Sequence, residues 1–349
     1  MKKIILFLSV LLIINVKASN STIVMDVDSG RVLYQNNAYE KKLIASTTKI
    51  MTFVVAYEYA KDFLDVYIEA GEEVLKMYGT SIYISYHEKM LLRDLLYGLM
   101  LRSGNDAAEV IAYFVGGSEE KFVDLMNKKA KFIGMNNTIF NNPHGLDEVT
   151  KNYSTAYDMA LLSAYANKID FYRQVTKTKY YNVQTENKAY SWTNRNKMLF
   201  TYPYLESGKT GYTPKAGKTF VSSAKKNDLH LTIVSLNDYN YYNTQKMLYD
   251  EMFNTYRKEI ILSKKQFNDN NKDLYIMHDL TYPLKKDEKQ NINIKVILND
   301  NLDYAGEVIV TLKEKEIIRE KVYRNNTEKD SSNGKNFFIK LKEMFKKIF

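Results

Sequence analysis

The sequence has no cysteine, and its four histidines are scattered along the chain. A chain without cysteine forms neither disulfides nor thiolate-ligated metal sites. His87 is followed by Glu88, but no second histidine lies four residues after it, so the helical zinc motif of metalloproteases is missing. The GxSxG segment of α/β-hydrolases is missing too. We therefore expect no metal site and no cofactor, and we interpret the histidines as structural.

The start of the chain lacks an apolar run long enough to span a membrane. Its apolar stretch, residues 4–16, is shorter than the roughly 20 residues that a spanning helix needs. Lys2 and Lys3 precede the stretch, and Val16, its last residue, and Ala18 are small residues at the positions that a signal peptidase reads. This pattern predicts a secretory signal peptide over residues 1–18. A retained membrane anchor is the alternative.

The chain also has no excess of acidic residues. Lysines and arginines outnumber aspartates and glutamates, and the formal net charge is +9. Removal of residues 1–18 takes away only lysines among the charged residues and leaves a net charge of +6. A mildly basic exported protein suits an anionic membrane surface or wall polymer. No groove-reading motif accompanies the charge, so we do not expect nucleic acid as a partner.

The chain has 349 residues, of which 45% are hydrophobic, so a sizeable core and two domains are expected. Residues 19–257 read as a mixed α/β domain whose sheet is built from distant segments. Its strands are predicted at residues 22–27, 31–34, 218–224 and 229–236. Its helices are predicted from Ser46 onwards and at residues 90–101, 104–115, 118–132, 153–167 and 242–257.

The character of the sequence changes near residue 258. Residues 258–326 are predicted to form a small all-β domain, with strands at 274–280, 291–298, 306–313 and 316–323. Residues 327–334 read as a polar linker. Residues 335–349 place phenylalanines on one helical face and lysines on the other, which is typical of a helix that lies in an anionic membrane interface. Docking of this helix on the protein itself is the alternative.

The segment LIASTTKIMT, residues 43–52, contains a serine followed three residues later by a lysine. This spacing occurs five times in the chain, so it is weak by itself. Only Ser46 opens a predicted helix with an apolar face behind it. In a helix, residues three apart are neighbours, so the amine of Lys49 can reach the hydroxyl of Ser46. The alternative is a helix cap followed by a solvated lysine.

Two further motifs follow in order. Ser103-Gly104-Asn105 lies at a predicted helix junction, and the structural alternative is a capping serine with a turn glycine. Lys209-Thr210-Gly211 occurs once, and its glycine would let a strand backbone approach a ligand closely. A strand edge with a surface lysine is the alternative. The ordered set SxxK, SxN and KTG is the signature of penicillin-binding proteins and class A β-lactamases.

With these motifs the chain resembles the serine-type D-Ala-D-Ala carboxypeptidases, the low-molecular-weight penicillin-binding proteins. The segments similar to that family, in the family's order, are STIVMDVDSGRVLY, ASTTKIMT, LLYGLMLRSGNDAAEVIA, NNPHGLD, STAYDMALL and SGKTGYTPKAG. The resemblance covers roughly residues 20–257. It implies an α/β fold of the β-lactamase/DD-peptidase type, in which helices flank an antiparallel sheet beside a helical subdomain. The β-rich part and the amphipathic tail resemble the family's second domain and membrane anchor.

The resemblance also implies an exported enzyme at the outer face of the cytoplasmic membrane. Its substrate would be a peptidoglycan stem peptide ending in D-Ala-D-Ala, from which it removes the terminal D-alanine, and β-lactam antibiotics would inhibit it. Ser46 would be the acylated nucleophile and Lys49 its base. Ser103 would relay a proton toward the leaving D-alanine, and Asn105 would orient Lys49 and the substrate amide.

The substrate-binding roles fall on the third motif. The resemblance implies that Lys209 and Thr210 hold the terminal carboxylate, with Gly211 beside them. The backbone N–H groups of Ser46 and Tyr212 would form the oxyanion hole. The chemistry is coherent because a lysine serves as a base only when its amine is neutral, and burial together with a second lysine lowers its pKa.

One departure and two alternatives qualify this interpretation. Many relatives carry an arginine after the last core strand, whereas the comparable stretch here, NDYNYYNTQK, has none. The carboxylate is therefore expected to rest on Lys209 and Thr210 alone. A β-lactamase of the same fold would need a glutamate-activated water, and residues 140–160 contain Glu148 but no Glu-x-x-Leu-Asn pattern. A non-catalytic peptidoglycan-binding protein would not require the complete set of catalytic side chains.

Overall fold

The computed structural model describes residues 20–271, 273–299 and 303–324. The predicted signal peptide (1–18), linker (327–334) and amphipathic helix (335–349) lie outside these residues. The chain divides into two compact units, one up to Asn254 and one from Thr255. The division precedes the predicted boundary at residues 257/258, because a strand begins at Tyr256 and runs across it.

A five-stranded antiparallel sheet forms the centre of the first unit. Its strand order is β2-β1-β11-β10-β9. The strands are β1 (Ser21–Asp26), β2 (Val32–Asn36), β9 (Leu205–Thr213), β10 (Gly217–Lys226) and β11 (Leu229–Leu236). The register pairs Val24 of β1 with Ile233 of β11, so the first and last strands of the sheet in chain order are neighbours. This pairing confirms the prediction of a mixed α/β fold whose sheet joins distant segments.

Seven helices accompany the sheet in the described part of this unit. They are α1 (Lys49–Ala60), α2 (Leu92–Tyr97), α3 (Asn105–Gly116), α4 (Glu119–Ile133), α5 (Ala156–Ala166), α6 (Asp170–Lys177) and α7 (Tyr241–Thr255). Helix α5 packs on β1 and β11, and α1 packs on α3. The hydroxyls of Ser118 and Thr155 cap α4 and α5, because each accepts a backbone N–H of the first turn.

Short strand pairs complete the first unit. They are β3 (Lys42–Leu43) with β6 (Tyr153–Ser154), β4 (Tyr67–Glu69) with β5 (Lys89–Leu91), and β7 (Tyr180–Gln184) with β8 (Ala189–Thr193). Helix α6 and the β7–β8 hairpin were not predicted from the sequence. The pairing of β6 with β3 also explains why α5 begins at Ala156 rather than at residue 153.

Two predicted helices differ from the structure beside the SxxK and SxN motifs. Residues Ala45–Thr48 form a 3₁₀ turn, and the α-helix begins only at Lys49. The helix predicted over residues 90–101 is regular only to Tyr97, and Gly98–Arg102 form a π-helical turn. Single π turns in helices are frequent at functional sites.

The second unit is β-rich, but its described part is not all-β as predicted. Helix α8 (Lys264–Asn270) packs Phe267 into a small core with Val308, Val310 and Val322. The strands are β12 (Tyr256–Leu262), β13 (Leu274–Tyr275), β14 (Leu280–Lys285), β15 (Ile292–Leu298), β16 (Gly306–Leu312) and β17 (Lys315–Arg324). They form a β12–β14 pair and a sheet of order β13-β17-β16-β15.

Residues 274–280 were predicted as one strand, but they contain the short β13 and the first residue of β14. Within the described residues of the whole chain, no helix has both the length and the apolar character needed to cross a membrane.

Candidate active site

Three segments that are far apart in the sequence meet beside strand β9. Ser46 lies in the 3₁₀ turn, and Lys49 begins α1. Ser103 and Asn105 stand at the junction between the π turn and α3. Strand β9, at the edge of the sheet, carries the KTG segment. A cavity of about 670 Å³ is lined by five of the predicted site residues, namely Ser46, Ser103, Thr210, Gly211 and Tyr212.

The amine of Lys49 is fully buried and has three oxygen neighbours. Its Nζ lies 3.1 Å from Ser46 Oγ, 2.7 Å from Asn105 Oδ1 and 2.6 Å from the carbonyl oxygen of His144. The amide and backbone oxygens only accept hydrogen bonds. A neutral amine has two N–H donors, which match these two oxygens, and one lone pair, which is then directed at the serine hydroxyl. This is the geometry of a general base beside the group it deprotonates.

The two lysines of the site have different electrostatic surroundings. Burial lowers the pKa of Lys49 well below its usual value, and the charge of Lys209 lowers it further. Burial lowers the pKa of Lys209 to about 7, with Arg195 acting in the same direction. The Lys209 amine donates to Ser103 Oγ at 3.0 Å and to the carbonyl of Thr210 at 2.7 Å. Burial therefore favours the uncharged form of Lys49, while Lys209 exchanges between its two forms near neutral pH.

Backbone strain is concentrated at this site. Ala45, directly before Ser46, has φ +47°, and Ser103 has φ +64°, both in the left-handed region that non-glycine residues avoid. Ser103 ends the π turn in this conformation, which directs its hydroxyl toward Lys209 rather than along a continuing helix. Such positions persist only where the surrounding packing holds them, and they cluster at functional sites.

Close approach of backbone to backbone explains the glycine of the KTG segment. A Cβ at Gly211 would lie 2.9 Å from the backbone nitrogen of Ser46 and 3.1 Å from that of Thr47, and it would also meet the hydroxyl of Thr219. Any larger residue would push β9 away from the turn that carries the serine. Gly211 therefore sets the distance between the Ser46 N–H and the edge of β9 where Tyr212 lies.

The third partner of Lys49 was missed by the sequence-based analysis. The loop at residues 142–147 supplies the His144 carbonyl and is fastened to α1 by a 2.5 Å hydrogen bond from the hydroxyl of Thr52 to the carbonyl of Pro143. Gly145, with φ +90°, packs so closely on Ala45 that a Cβ there would collide with its carbonyl. A backbone carbonyl has no residue signature. The segment NNPHGLD, which carries part of the family resemblance, is the only signal in the sequence.

A cation missed by the sequence-based analysis also lines the cavity. Arg195, in the segment that follows β8, donates from Nη1 to Thr80 Oγ1 at 3.2 Å and to the carbonyl of Arg102 at 3.4 Å. The expectation that Lys209 and Thr210 alone could meet a carboxylate is therefore incomplete. The arginine that many relatives carry follows the last core strand, whereas Arg195 precedes β9.

Among the described residues, one group of metal-ligand side-chain types, Glu109, Glu119 and His144, has its ligand atoms within 4.8 Å of one another. His144 Nδ1 accepts the backbone N–H of Leu146 at 3.0 Å, so the neutral ring carries its hydrogen on Nε2, which faces Glu109 Oε1 at 3.4 Å. A metal ligand needs an unprotonated nitrogen there. Burial lowers the pKa of His144 to about 3 and raises the pKa of Glu109 to about 8. Without a bound cation, the two buried residues thus form a neutral pair.

Comparison with known proteins gives similar chains over the first unit. The D-alanyl-D-alanine carboxypeptidase DacF of Bacillus subtilis is 36% identical over 220 residues, which cover 62% of this chain and 56% of DacF. DacC of Escherichia coli is 38% identical over 227 residues, covering 61% of this chain and 55% of DacC. The chain thus spans about half the length of these curated relatives.

Solved structures agree with this similarity. The D-alanyl-D-alanine carboxypeptidase from Mycobacterium tuberculosis H37Rv superposes with a TM-score of 0.63 at 30% identity, over 67% of this chain and 90% of that one. The carboxypeptidase DacD from Francisella tularensis gives a TM-score of 0.69 at 25% identity, over 88% of this chain and 92% of that one. The sequence profile of the family described as D-alanyl-D-alanine carboxypeptidase matches residues 14–240. The chain therefore belongs to the D-alanyl-D-alanine carboxypeptidase family.

Proposed function

We propose that this protein is a serine D-alanyl-D-alanine carboxypeptidase that removes the terminal D-alanine from peptidoglycan stem peptides and binds penicillin. The observation that carries the proposal is the position of the Lys49 amine. Its two N–H groups are taken up by Asn105 and the His144 carbonyl, and its lone pair faces Ser46 Oγ at 3.1 Å. Family membership and the lowered pKa of the buried Lys49 support the same conclusion.

The proposed acylation begins with attack of Ser46 Oγ on the carbonyl carbon of the scissile amide, while Lys49 takes the hydroxyl proton. The backbone N–H groups of Ser46 and Tyr212 stabilise the oxyanion, and such donors are typically worth about 3 to 4 kcal/mol each. The proton then passes through Ser103 to the leaving nitrogen, the C–N bond breaks, and D-alanine departs. Attack of water on the Ser46 ester releases the shortened peptide and restores the hydroxyl.

Recognition of the terminal carboxylate is assigned to the leaving-group side of the cavity. Lys209 and Thr210 lie on consecutive positions of β9, and the Lys209 amine already contacts Ser103. Arg195 adds a permanent cation to the same cavity. A carboxylate bound there would favour the protonated form of Lys209, because an opposite charge stabilises an ammonium.

The test is labelling with a penicillin followed by mass spectrometry of the digested protein. We expect a stable adduct on the peptide that contains Ser46, together with release of D-alanine from an acyl-D-Ala-D-Ala peptide. Ser46→Ala should abolish both. Rapid penicillin hydrolysis without D-alanine release would identify a β-lactamase instead. Absence of both adduct and release would leave a non-catalytic binding protein.

We also propose that the protein acts outside the cell, at the outer face of the cytoplasmic membrane. The signal-like residues 1–18 and the amphipathic pattern of residues 335–349 support this location. Co-sedimentation with vesicles containing anionic phospholipid should occur for the exported chain and be lost when residues 327–349 are removed. Equal sedimentation of the two chains would contradict the assignment of that segment.

A further inference from the structure

The wall of the cavity carries three cations and no carboxylate. Arg195, Lys197 and Lys218 line it, and the remaining lining residues are uncharged. Within the described residues, none of the three side chains lies within 4.0 Å of an acidic group. Asp238 directly precedes the lining residue Tyr239 in the chain. Its Oδ1 accepts the backbone N–H of Asn240 and forms no ion pair with these three cations. Unpaired cations that face a cavity indicate an anionic ligand.

Lys218 is the cation whose position the sheet defines most closely. It lies on β10 directly opposite Tyr212 of β9, while Phe220 lies opposite Thr210. Residues directly opposite in an antiparallel pair point to the same face, and so do residues two apart in one strand. The side chain of Lys218 is therefore on the same face as that of Thr210, as its diagonal neighbour.

The ammonium of Lys218 is also held in place. Its Nζ lies over the ring of Tyr239 at 5.7 Å from the centroid, which is within the range of a cation–π contact. The backbone carbonyl of Lys218 accepts the N–H of Asp238 at 2.9 Å, which ties the strand to the segment that presents Tyr239. A flexible surface lysine is thereby restricted to the mouth of the cavity.

We propose that Lys218 binds the terminal carboxylate of the substrate together with Thr210, and that it thereby sets the preference for a free C-terminus. This inference rests on the proposed carboxypeptidase function. It adds an exposed lysine at the mouth of the cavity to the buried Lys209, whose amine donates to Ser103 and to the Thr210 carbonyl. Lys218 is a specificity residue in this proposal and takes no part in the transfer of protons.

The experiment compares two substrates on two matched variants. The substrates are an acyl-D-Ala-D-Ala peptide with a free carboxylate and the same peptide with a C-terminal amide. Lys218→Gln is compared with Lys226→Gln, at the other end of β10, where the lysine also lies over a tyrosine ring, Tyr204, but not in the cavity lining. Lys218→Arg tests whether a cation restores binding.

In Lys218→Gln we expect KM for the free acid to rise roughly three- to fivefold, the upper range for one exposed ion pair, with kcat little changed. The KM for the amide should stay constant, Lys226→Gln should behave as wild type, and Lys218→Arg should recover most of the loss. An equal effect on acid and amide, or no effect at all, would overturn the proposal for Lys218.

The proposed function and this inference fail in different ways. If the wild-type protein hydrolyses neither peptide and forms no penicillin adduct, the carboxypeptidase function itself falls, and the inference falls with it. If the wild-type protein hydrolyses the free acid and Lys218→Gln matches it in KM, only the inference falls. Acylation by a penicillin and by its methyl ester provides an independent readout, because only the first carries a carboxylate, and we expect Lys218→Gln to slow only that one.

Discussion

At the scale of single residues, the site separates two lysines that are chemically identical in the unfolded chain. Lys49 is surrounded by acceptors that leave its lone pair for Ser46, while Lys209 donates to Ser103 and to a backbone carbonyl. Burial lowers the pKa of both, and the charge of Lys209 lowers the pKa of Lys49 further. One group is thereby suited to accept a proton and the other to hold an anion near neutral pH.

This difference predicts the pH dependence of kcat/KM. Burial sets the pKa of Lys209 at about 7, so its charge is present below that pH and is lost as pH rises through it. Because kcat/KM depends on ionisation in the free protein, we expect its value for the free-acid peptide to fall above about pH 7. Arg195 and Lys218 should support a residual activity. The matched C-terminal amide should show no such fall. A wild-type profile for the free acid that stays flat to pH 9 would contradict this role of Lys209.

A second residue-scale prediction concerns the buried Glu109. Burial, with Glu119 and Glu73 adding to it, raises its pKa from 4.5 to about 8. The folded state therefore keeps a proton that the unfolded state releases, so this carboxyl lowers the free energy of unfolding progressively as pH rises from 4.5 to 8. His144, with a pKa lowered to about 3, acts in the opposite sense and only below its usual pKa of 6.5.

Glu109→Gln keeps the oxygen that faces His144 Nε2 and removes the titration. We expect the variant to be more stable than the wild type at alkaline pH by a few kcal/mol, since each unit of pKa difference is worth about 1.4 kcal/mol. At about pH 5 the two proteins should differ little. Urea unfolding at both pH values measures the difference, and Glu119→Gln, at a half-exposed carboxyl, should show a smaller one. A constant difference across pH would exclude a titrating Glu109.

At the scale of elements, the site depends on how one loop supports one turn. The 3₁₀ turn that carries Ser46 begins at the left-handed Ala45, and the loop at residues 142–147 packs directly against it. The same loop supplies the carbonyl that holds Lys49. Neither the turn nor the loop is an α-helix or a strand of the sheet, so their mutual packing, rather than local propensity, fixes the position of Ser46.

Gly145→Ala tests this support, with Gly134→Ala as the matched control. Both glycines have φ +90°, so both substitutions carry the left-handed cost of about 1 to 2 kcal/mol. Only a Cβ at Gly145 meets the chain, at the Ala45 carbonyl and 2.9 Å from the Ser46 nitrogen, whereas a Cβ at Gly134 has nothing within 4 Å. We expect Gly145→Ala to slow penicillin acylation strongly and to unfold more easily than Gly134→Ala. Equal acylation rates in the two variants would show that the loop does not position Ser46.

At the scale of the whole molecule, the proposed machinery lies within one compact unit. All eight predicted site residues belong to the unit that ends at Asn254. The carboxypeptidase structure from Mycobacterium tuberculosis matches 67% of this chain with 90% of its own length, so a solved chain of this kind corresponds to little more than the first unit.

We therefore expect a chain of residues 20–254 to fold and to be acylated by penicillin at a rate close to that of the full-length protein. Mass spectrometry of the labelled peptide and thermal unfolding measure the two properties. Ser46→Ala in the same shortened chain is the control for specific labelling. A soluble, folded chain that is no longer labelled would show that residues after 254 contribute to the site.

The sequence by itself determined the candidate side chains of the site and most α-helices of the first unit. Spacing placed Ser46 and Lys49 on neighbouring positions, and alternation placed the strands at residues 218–224 and 229–236, because these signals depend on neighbours in the chain. The tertiary structure alone decided that the His144 carbonyl contacts Lys49 and that Arg195 lines the cavity. It also decided that Lys218 lies on the same face as Thr210, since all three depend on how distant segments pack. Backbone groups and long-range contacts have no local pattern, so only the folded chain shows which distant oxygens surround the Lys49 amine.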